Sequence, residues 1–222
     1  MEFYSYFITR RLVIHNKGRP CGRRIKVTYE VIEIAPTDPL AKPLFDELQL
    51  EYSSRYGEFA RHREPGTSEE LTRYPPELFL PPDGIFLLLR RASDGAVVGG
   101  GAFKRYDAAT AEFKRMWARS DLRRQGVARR IVAELEVRAL RQGYRRVYLT
   151  TGFRQPEAVG LYLSTGFEPL YDRAIAVEIH GRLPFGKDLL EPGRTDTLAD
   201  LRAPGPLGFP GAPKPAADVT NQ

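Results

Sequence analysis

The segment from residue 111 to 151 restricts the fold more than any other part of the chain. Residues 111–118 read as a strand, and a short turn holding Gly126 follows. Residues 127–140 then place Ala128, Ile131, Val132, Leu135 and Ala139 on one helical face, and Gly143 ends the helix. Residues 146–151 form a second strand. Strand–helix–strand crossovers within one sheet are right-handed and make the two strands parallel neighbours. The chain is therefore an α/β or α+β sheet domain with helices on both faces.

The flanking elements fit that frame. Residues 27–35 (VTYEVIEIA) alternate apolar and polar, as a strand does. Asp38 and Pro39 supply an N-cap and a first-turn proline, and Leu40, Leu44, Leu48 and Tyr52 follow at steps of four in a helix. Ser68-Glu69-Glu70 opens a second, shorter helical segment that stops before Pro75-Pro76. Residues 85–89 are a buried-type strand, Asp94-Gly95 a hairpin turn, and 96–106 the return strand. Residues 156–165 form a helix ended by Gly166, and 167–171 and 174–180 the last strands. No internal repeat is visible.

Charge and composition mark the ends. The formal charge of +6 sits wholly in residues 1–26, where seven basic residues face Glu2 alone. The remainder is neutral. Such an arm can bind phosphate-rich partners, but a solvated extension is the simpler expectation, and nucleic acid is not an expected partner. The arm is Arg-rich and acid-poor, as transit peptides are, and a true start near Val27 is an alternative. Residues 203–215 hold five prolines and three glycines, a composition that resists ordering. The expected division is a basic extension (1–26, disordered or non-native), a folded domain (27–190) and a disordered tail (191–222). No apolar run approaches the ~20 residues of a membrane helix, so no membrane partner is expected. The single cysteine, Cys21, excludes an internal disulfide and a multi-thiolate metal site, and His15, His62 and His180 are far apart. No metal is expected, the cytoplasm is the expected location, and a homodimer stays open.

The turn between strand and helix carries the first chemical signal. Arg123, Arg124, Gln125, Gly126, Val127 and Ala128 lead into the helix. Backbone N–H groups at a helix N-terminus, aided by the helix dipole, bind anions. Gly126 permits close backbone approach, and Arg123, Arg124 and Arg129 add positive charge. Neither the G-x-G-x-x-G dinucleotide fingerprint nor a P-loop is present.

The stretch from Glu112 to Arg129 resembles the central motif of the GCN5-related N-acetyltransferases (GNAT), Gln/Arg-x-x-Gly-x-Gly/Ala, through Arg123, Gly126 and Ala128. Residues 158–167, with Tyr162, Gly166 and Phe167, resemble the family's second motif. The resemblance covers about residues 28–180. It implies a mixed, mostly antiparallel sheet with a central splayed parallel pair. It also implies acetyl-CoA as co-substrate, with pyrophosphate on the N–H groups of residues 124–129. The pantetheine arm would then lie along the strand at Met116, Trp117 and Ala118. The family's asparagine at the start of the second motif is replaced here by Arg154-Gln155-Pro156, which makes Gln155 the side chain nearest that role.

Acetyl transfer needs a neutral amine, so a base helps. By resemblance Glu112 is the candidate base, on the strand ahead of the turn. A surface carboxylate paired with Lys114 is the plainer alternative. Strict alternation puts Glu112, Lys114, Met116 and Ala118 on one face and Phe113, Arg115 and Trp117 on the other. Tyr162 is the candidate acid for the leaving thiolate, with a backbone N–H at Met116 or Trp117 holding the oxyanion. The acceptor would lie near Arg55, Tyr56, Phe59, Arg61, His62, Arg63, Arg73 and Tyr74. The expected activity is transfer of acetyl to a primary amine of a small molecule, by direct attack in a ternary complex. The alternatives are a protein or peptide acceptor, or a non-catalytic acetyl-CoA-binding module.

Overall fold

The computed structural model describes residues 10–14, 27–60 and 74–201. In chain order these form β1 (Arg10–Ile14), β2 (Val27–Glu33), α1 (Lys42–Ala60), β3 (Ile85–Arg91), β4 (Val97–Arg105) and β5 (Thr110–Ala118). Then come α2 (Val127–Arg141), β6 (Arg146–Gly152), α3 (Pro156–Ser164), β7 (Glu168–Pro169), α4 (Val177–His180) and β8 (Arg182–Asp188). The strands make one sheet in the order β1-β2-β3-β4-β5-β6-β8-β7. Every pair is antiparallel except β5–β6, the pair joined by the crossover helix α2.

Local signals place most of these elements. The Asp38 carboxylate accepts from the Leu40 N–H at 2.8 Å and caps a 3₁₀ turn, Pro39–Ala41, that runs into α1. At the β3–β4 hairpin Gly95 takes φ 72°, a left-handed value that suits glycine, and Asp94 accepts from the Ala96 N–H at 3.1 Å. Helices cover both faces. Ile131, Val132 and Leu135 of α2 and Tyr162 of α3 bury against Phe103, Phe113 and Phe185. On the opposite face Leu44 and Leu48 of α1 pack with Phe79, Phe86, Leu88 and Trp117. Consecutive glycines in β4 allow the close approach. A Cβ at Gly99 would lie 2.6 Å from Ile131 Cδ1, and one at Gly100 2.7 Å from Leu44 Cδ1.

The sheet departs from expectation at both ends of the chain. Residues 10–14 fall within the stretch expected to be a disordered extension, yet they form β1, in register from Arg10↔Val31 to Ile14↔Val27. Leu-Val-Ile is a good strand sequence, and pairing satisfies the otherwise open edge of β2. At the other end the packed part runs past residue 190. Leu198 and Leu201 are buried with Tyr148, and Asp188 accepts from Leu190 N, Glu191 N and Thr197 Oγ1, each at 2.8 Å. Arg146 donates to the Thr197 carbonyl at 2.7 Å. The remaining expectations for residues 1–9, 15–26, 61–73 and 202–222, including the helical segment at Ser68, lie outside the described residues.

The last strands also need correction. Residues 174–180 alternate in sequence but form a turn and α4, and only Glu168–Pro169 of the expected 167–171 is strand. The inserted strand is β8, between β6 and β7. Its sequence, RLPFGKD, carries a proline and a glycine and is buried on both faces, so neither propensity nor alternation reveals it. Gly186 is needed there because Leu170, Leu198 and Leu201 would all come within 3.2–3.3 Å of a Cβ. No helix among the described residues is long and apolar enough to cross a membrane.

Candidate active site

The parallel pair holds together over only part of its length. β5 and β6 pair from Thr110↔Arg146 to Phe113↔Leu149, although β5 runs on to Ala118 and β6 to Gly152. Past Phe113 the strands separate and open a cleft. Phe113, Lys114, Arg115 and Met116 line it from β5, and Thr150 and Thr151 from β6. Tyr52 and Tyr74 complete one wall; Gln155, Ala158 and Tyr162 complete the other.

A bulge in β5 shapes this cleft. Ala102 pairs with Lys114 and Gly100 with Trp117, so Arg115 and Met116 together oppose Gly101. Arg115 has φ 57°, a left-handed value that costs an arginine energy. The extra residue resets the alternation. Phe113 and Met116 pack toward α2 and α3, while Trp117 is buried toward α1. The Arg115 guanidinium stacks 4.1 Å from the Phe79 ring centroid and 5.2 Å from that of Phe45, also on the α1 side. The expected faces, with Met116 beside Glu112 and Lys114, are therefore wrong beyond residue 114. A bulge also leaves backbone groups outside the ladder, which suits the proposed cofactor contacts at Met116, Trp117 and Ala118.

The anion turn follows directly. Glu47 of α1 fixes its start by accepting from Trp117 Nε1 at 3.0 Å and Ser120 N at 3.2 Å. Arg124 and Gly126 then take φ 62° and 83°. No side chain caps α2, and the first N–H groups of any helix lack an intrahelical acceptor. A Cβ at Gly126 would meet no protein atom within 4 Å, so the glycine serves backbone conformation and an open approach, not internal packing. Arg123, Arg124 and Gln125 are exposed, Val127 is buried and Ala128 half-buried. Arg123 lies 3.6 Å from Glu51, and Arg129 ties α2 to α3 through the Ser164 carbonyl at 2.8 Å and its hydroxyl at 2.9 Å.

The end of β6 is braced from α1. Arg55 pairs with Glu157 and donates to the Arg154 carbonyl at 2.5 Å, and the Tyr56 hydroxyl accepts from Arg154 N at 3.1 Å. Gln155 turns its Oε1 to Thr151 Oγ1 at 3.0 Å and Gly152 N at 3.1 Å, which fixes its amide at the cleft wall. Of the residues expected around the acceptor, Arg55 and Tyr56 belong to this brace and Tyr74 lines the cleft. Arg61, His62, Arg63 and Arg73 lie outside the described residues, as does the side chain of Phe59.

The two expected catalytic side chains sit differently. Glu112 is 4 % exposed and is absent from the cleft lining. Lys104 holds its carboxylate at 2.6 Å and Lys114 at 2.9 Å. Burial raises its pKa, but the two ammonium charges outweigh burial and hold it below the ordinary value. That lowers its strength as a base. Tyr162 lines the cleft, is 4 % exposed, and packs on Phe167 and Phe185. Burial raises its pKa, so the phenol keeps its proton at neutral pH. The lining residues that sequence reasoning did not single out for the site are Tyr52, Phe113, Arg115, Thr150, Thr151 and Ala158. Lys114 had entered only as a partner for Glu112.

The family model described as Acetyltransferase (GNAT) family matches residues 43–167, more than half of the chain. The chain belongs to this family. Solved structures share its GNAT fold. One is titled a putative acyl-CoA N-acyltransferase from Klebsiella pneumoniae, 24% identical, with TM-score 0.55 over 72% of this chain and 97% of that one. An acetyltransferase of the GNAT family from Staphylococcus aureus is 18% identical, with TM-score 0.54 over 72% and 99%. An acetyltransferase from Streptococcus agalactiae is 17% identical, with TM-score 0.53 over 72% and 98%. A search of curated proteins finds no match.

Proposed function

We propose that this GNAT chain is an acetyl-CoA-dependent N-acetyltransferase that moves acetyl to a primary amine of a small molecule by direct attack in a ternary complex. The observation that carries the reading is the cleft itself. It opens where β5 leaves β6, and β5 leads straight to the uncapped start of α2. Pyrophosphate would rest on the N–H groups of residues 124–129, with Arg123, Arg124 and Arg129 nearby. Pantetheine would extend along the bulged strand as an added strand, touching Met116, Trp117 and Ala118. Gln155 would contact it through the amide nitrogen that its fixed orientation leaves for the cleft. The expected setting is the cytoplasm, since one cysteine allows no internal disulfide.

In this reading the thioester carbonyl lies in the splay, and a bulge N–H at Met116 or Trp117 stabilises the oxyanion. The amine nitrogen bonds to the carbonyl carbon, the C–S bond then breaks to release CoA thiolate, and the proton that the nitrogen sheds passes to that thiolate, directly or through water, to give the free CoA thiol. Tyr162 assists that step. A phenol raised above its ordinary 10.0 holds its proton more tightly than a thiol near ~8.5, so it acts as a hydrogen-bond donor to the departing sulfur. Glu112, committed to two lysines, serves better as the counter-charge that places Lys114 than as the base. Desolvation and the neighbouring cations Lys114 and Arg115 disfavour an ammonium ion in the cleft, which helps the neutral amine arise.

The test is a thiol-release assay with acetyl-CoA against small amines, peptides and aminoglycosides, with acetyl-CoA binding measured by calorimetry. Binding with amine-dependent thiol release is the expected result. Binding without transfer would mark a non-catalytic acetyl-CoA module, and transfer to peptides alone would move the acceptor class to protein.

A further inference from the structure

β6 turns one backbone carbonyl into the splay with no donor to meet it. On the β8 side the bonds fall at odd-numbered residues: Leu189 N donates to the Arg145 carbonyl at 2.8 Å, and Phe153 N to the Gly181 carbonyl at 3.3 Å. Even-numbered residues therefore direct their backbone at β5, and Arg146 N does donate to the Ala109 carbonyl at 3.0 Å. Thr150 stands opposite Pro184, whose carbonyl is taken by Leu170 N at 2.9 Å, on the β7 side. The β5–β6 ladder stops at Phe113↔Leu149, so among the described residues nothing donates to the Thr150 carbonyl. Gly152, next along that edge, is satisfied: Gln155 takes its N–H through Oε1 and gives its own N–H to the carbonyl, each at 3.1 Å. The Thr150 side chain adds a second acceptor. Even-numbered β6 residues face α1, where a Cβ at Gly152 would collide with the Tyr56 hydroxyl, while Val147 and Leu149 pack with the α2 cluster. Thr150 is half-buried and lines the cleft. No other described group takes up its hydroxyl, whereas that of Thr151 is committed to Gln155 at 3.0 Å.

Resting on the acetyltransferase reading, we propose that Thr150 holds the acceptor nitrogen. Its carbonyl and its hydroxyl oxygen accept the two N–H groups of a primary amine on the α1 side of the cleft, the acceptor wall. A neutral primary amine has two N–H donors and one lone pair. With both donors held, the lone pair is left for the thioester carbonyl in the splay. The N–C bond forms, the C–S bond breaks, and the proton shed by the nitrogen ends on the CoA thiolate. The nitrogen becomes positive as the new bond forms, so its N–H groups become stronger donors. Both contacts therefore tighten toward the transition state and raise kcat. A secondary amine has one N–H and loses one of the two contacts, so the site takes primary amines by preference.

Matched acceptors test this directly: ethanolamine, tyramine and a lysine peptide, each against its N-methyl form. With full-length protein and saturating acetyl-CoA, the primary amine of at least one pair should exceed the secondary about tenfold in kcat/KM. Thr150→Val keeps the branched shape and the carbonyl but removes the hydroxyl. It should lower kcat/KM for the primary amine about tenfold, chiefly through kcat, and bring the ratio close to one. Thr150→Ser should keep both rate and ratio, and acetyl-CoA affinity should stay unchanged in either variant. Equal rates within every pair that reacts, a ratio indifferent to Thr150→Val, or a Thr150→Ser protein as slow as Thr150→Val would overturn the assignment even if transfer is brisk. Acetyl-CoA binding without transfer to any member would overturn the acetyltransferase reading and this one together. The wild-type ratios need no variant, so a misfolded Thr150→Val would not rescue the proposal.

Discussion

The proposed cofactor turn and the proposed acceptor wall are built on different principles. Residues 123–129 are consecutive, and their recognition groups are backbone N–H donors, set by two positive φ values and a helix start. The acceptor wall draws side chains from α1, β4, β5, β6 and the segment at Tyr74, and its chemistry lies in which charges those elements bring together. A backbone site survives most side-chain changes but depends on its glycine. A gathered site tolerates backbone variation but depends on each charge.

The sharpest way to break that contrast is Gly126→Val. A β-branched residue at φ 83° is strained and crowds the approach to the turn. Acetyl-CoA affinity should fall about 100-fold, from ~1–3 kcal/mol of strain together with lost backbone contacts. Gly95→Val, at φ 72° in the distant hairpin, should lower the melting temperature and spare affinity. Unchanged calorimetric affinity in a folded Gly126→Val protein would remove the turn from the cofactor site.

Glu112→Gln addresses the other wall. Two lysines lose their carboxylate, and stability at neutral pH should drop by about 2 kcal/mol, read by urea unfolding. Because the folded pKa lies below the ordinary 4.5, the native carboxylate contributes fully above that value. Its contribution is lost as pH falls through the folded pKa. The gap between wild type and Glu112→Gln should therefore close in acid. Turnover should persist in the variant; a loss of kcat/KM concentrated at low pH would restore Glu112 as the base.

Tyr162→Phe should lower kcat about tenfold, less than the ~10²–10⁴ of full acid–base catalysis, with acetyl-CoA binding intact. A wild-type kcat would leave transfer to positioning in the splay alone. The smallest effect belongs to Glu51→Gln. The 3.6 Å contact to the half-exposed Arg123 is worth under ~1 kcal/mol. Acetyl-CoA affinity should change less than about threefold, and the difference should fade with added salt.

The sequence alone determined the crossover, the turn, α2, α3 and the hairpin. Each rests on contacts between residues near in the chain: helical periodicity, an Asp38 cap, glycines at positive φ, and a right-handed connection. It also located Gly126 and Tyr162. What it could not determine depends on neighbours far apart in sequence. β8 is a strand because β6 and β7 pair with it and Leu198 and Leu201 cover it, against the preferences of Pro184 and Gly186. The bulge at Arg115 exists because Phe45 and Phe79 take up its guanidinium from α1 while Gly101 leaves room for Met116 on the α2 side. That single extra residue changed which side chains face the cleft, a reversal period-two reading cannot anticipate. The pairing of Glu112 with two lysines is likewise a tertiary fact. Lys104 comes from the neighbouring strand, opposite Glu112 in register, and it is charge brought across that strand gap that helps hold the carboxyl of the expected base below its ordinary pKa.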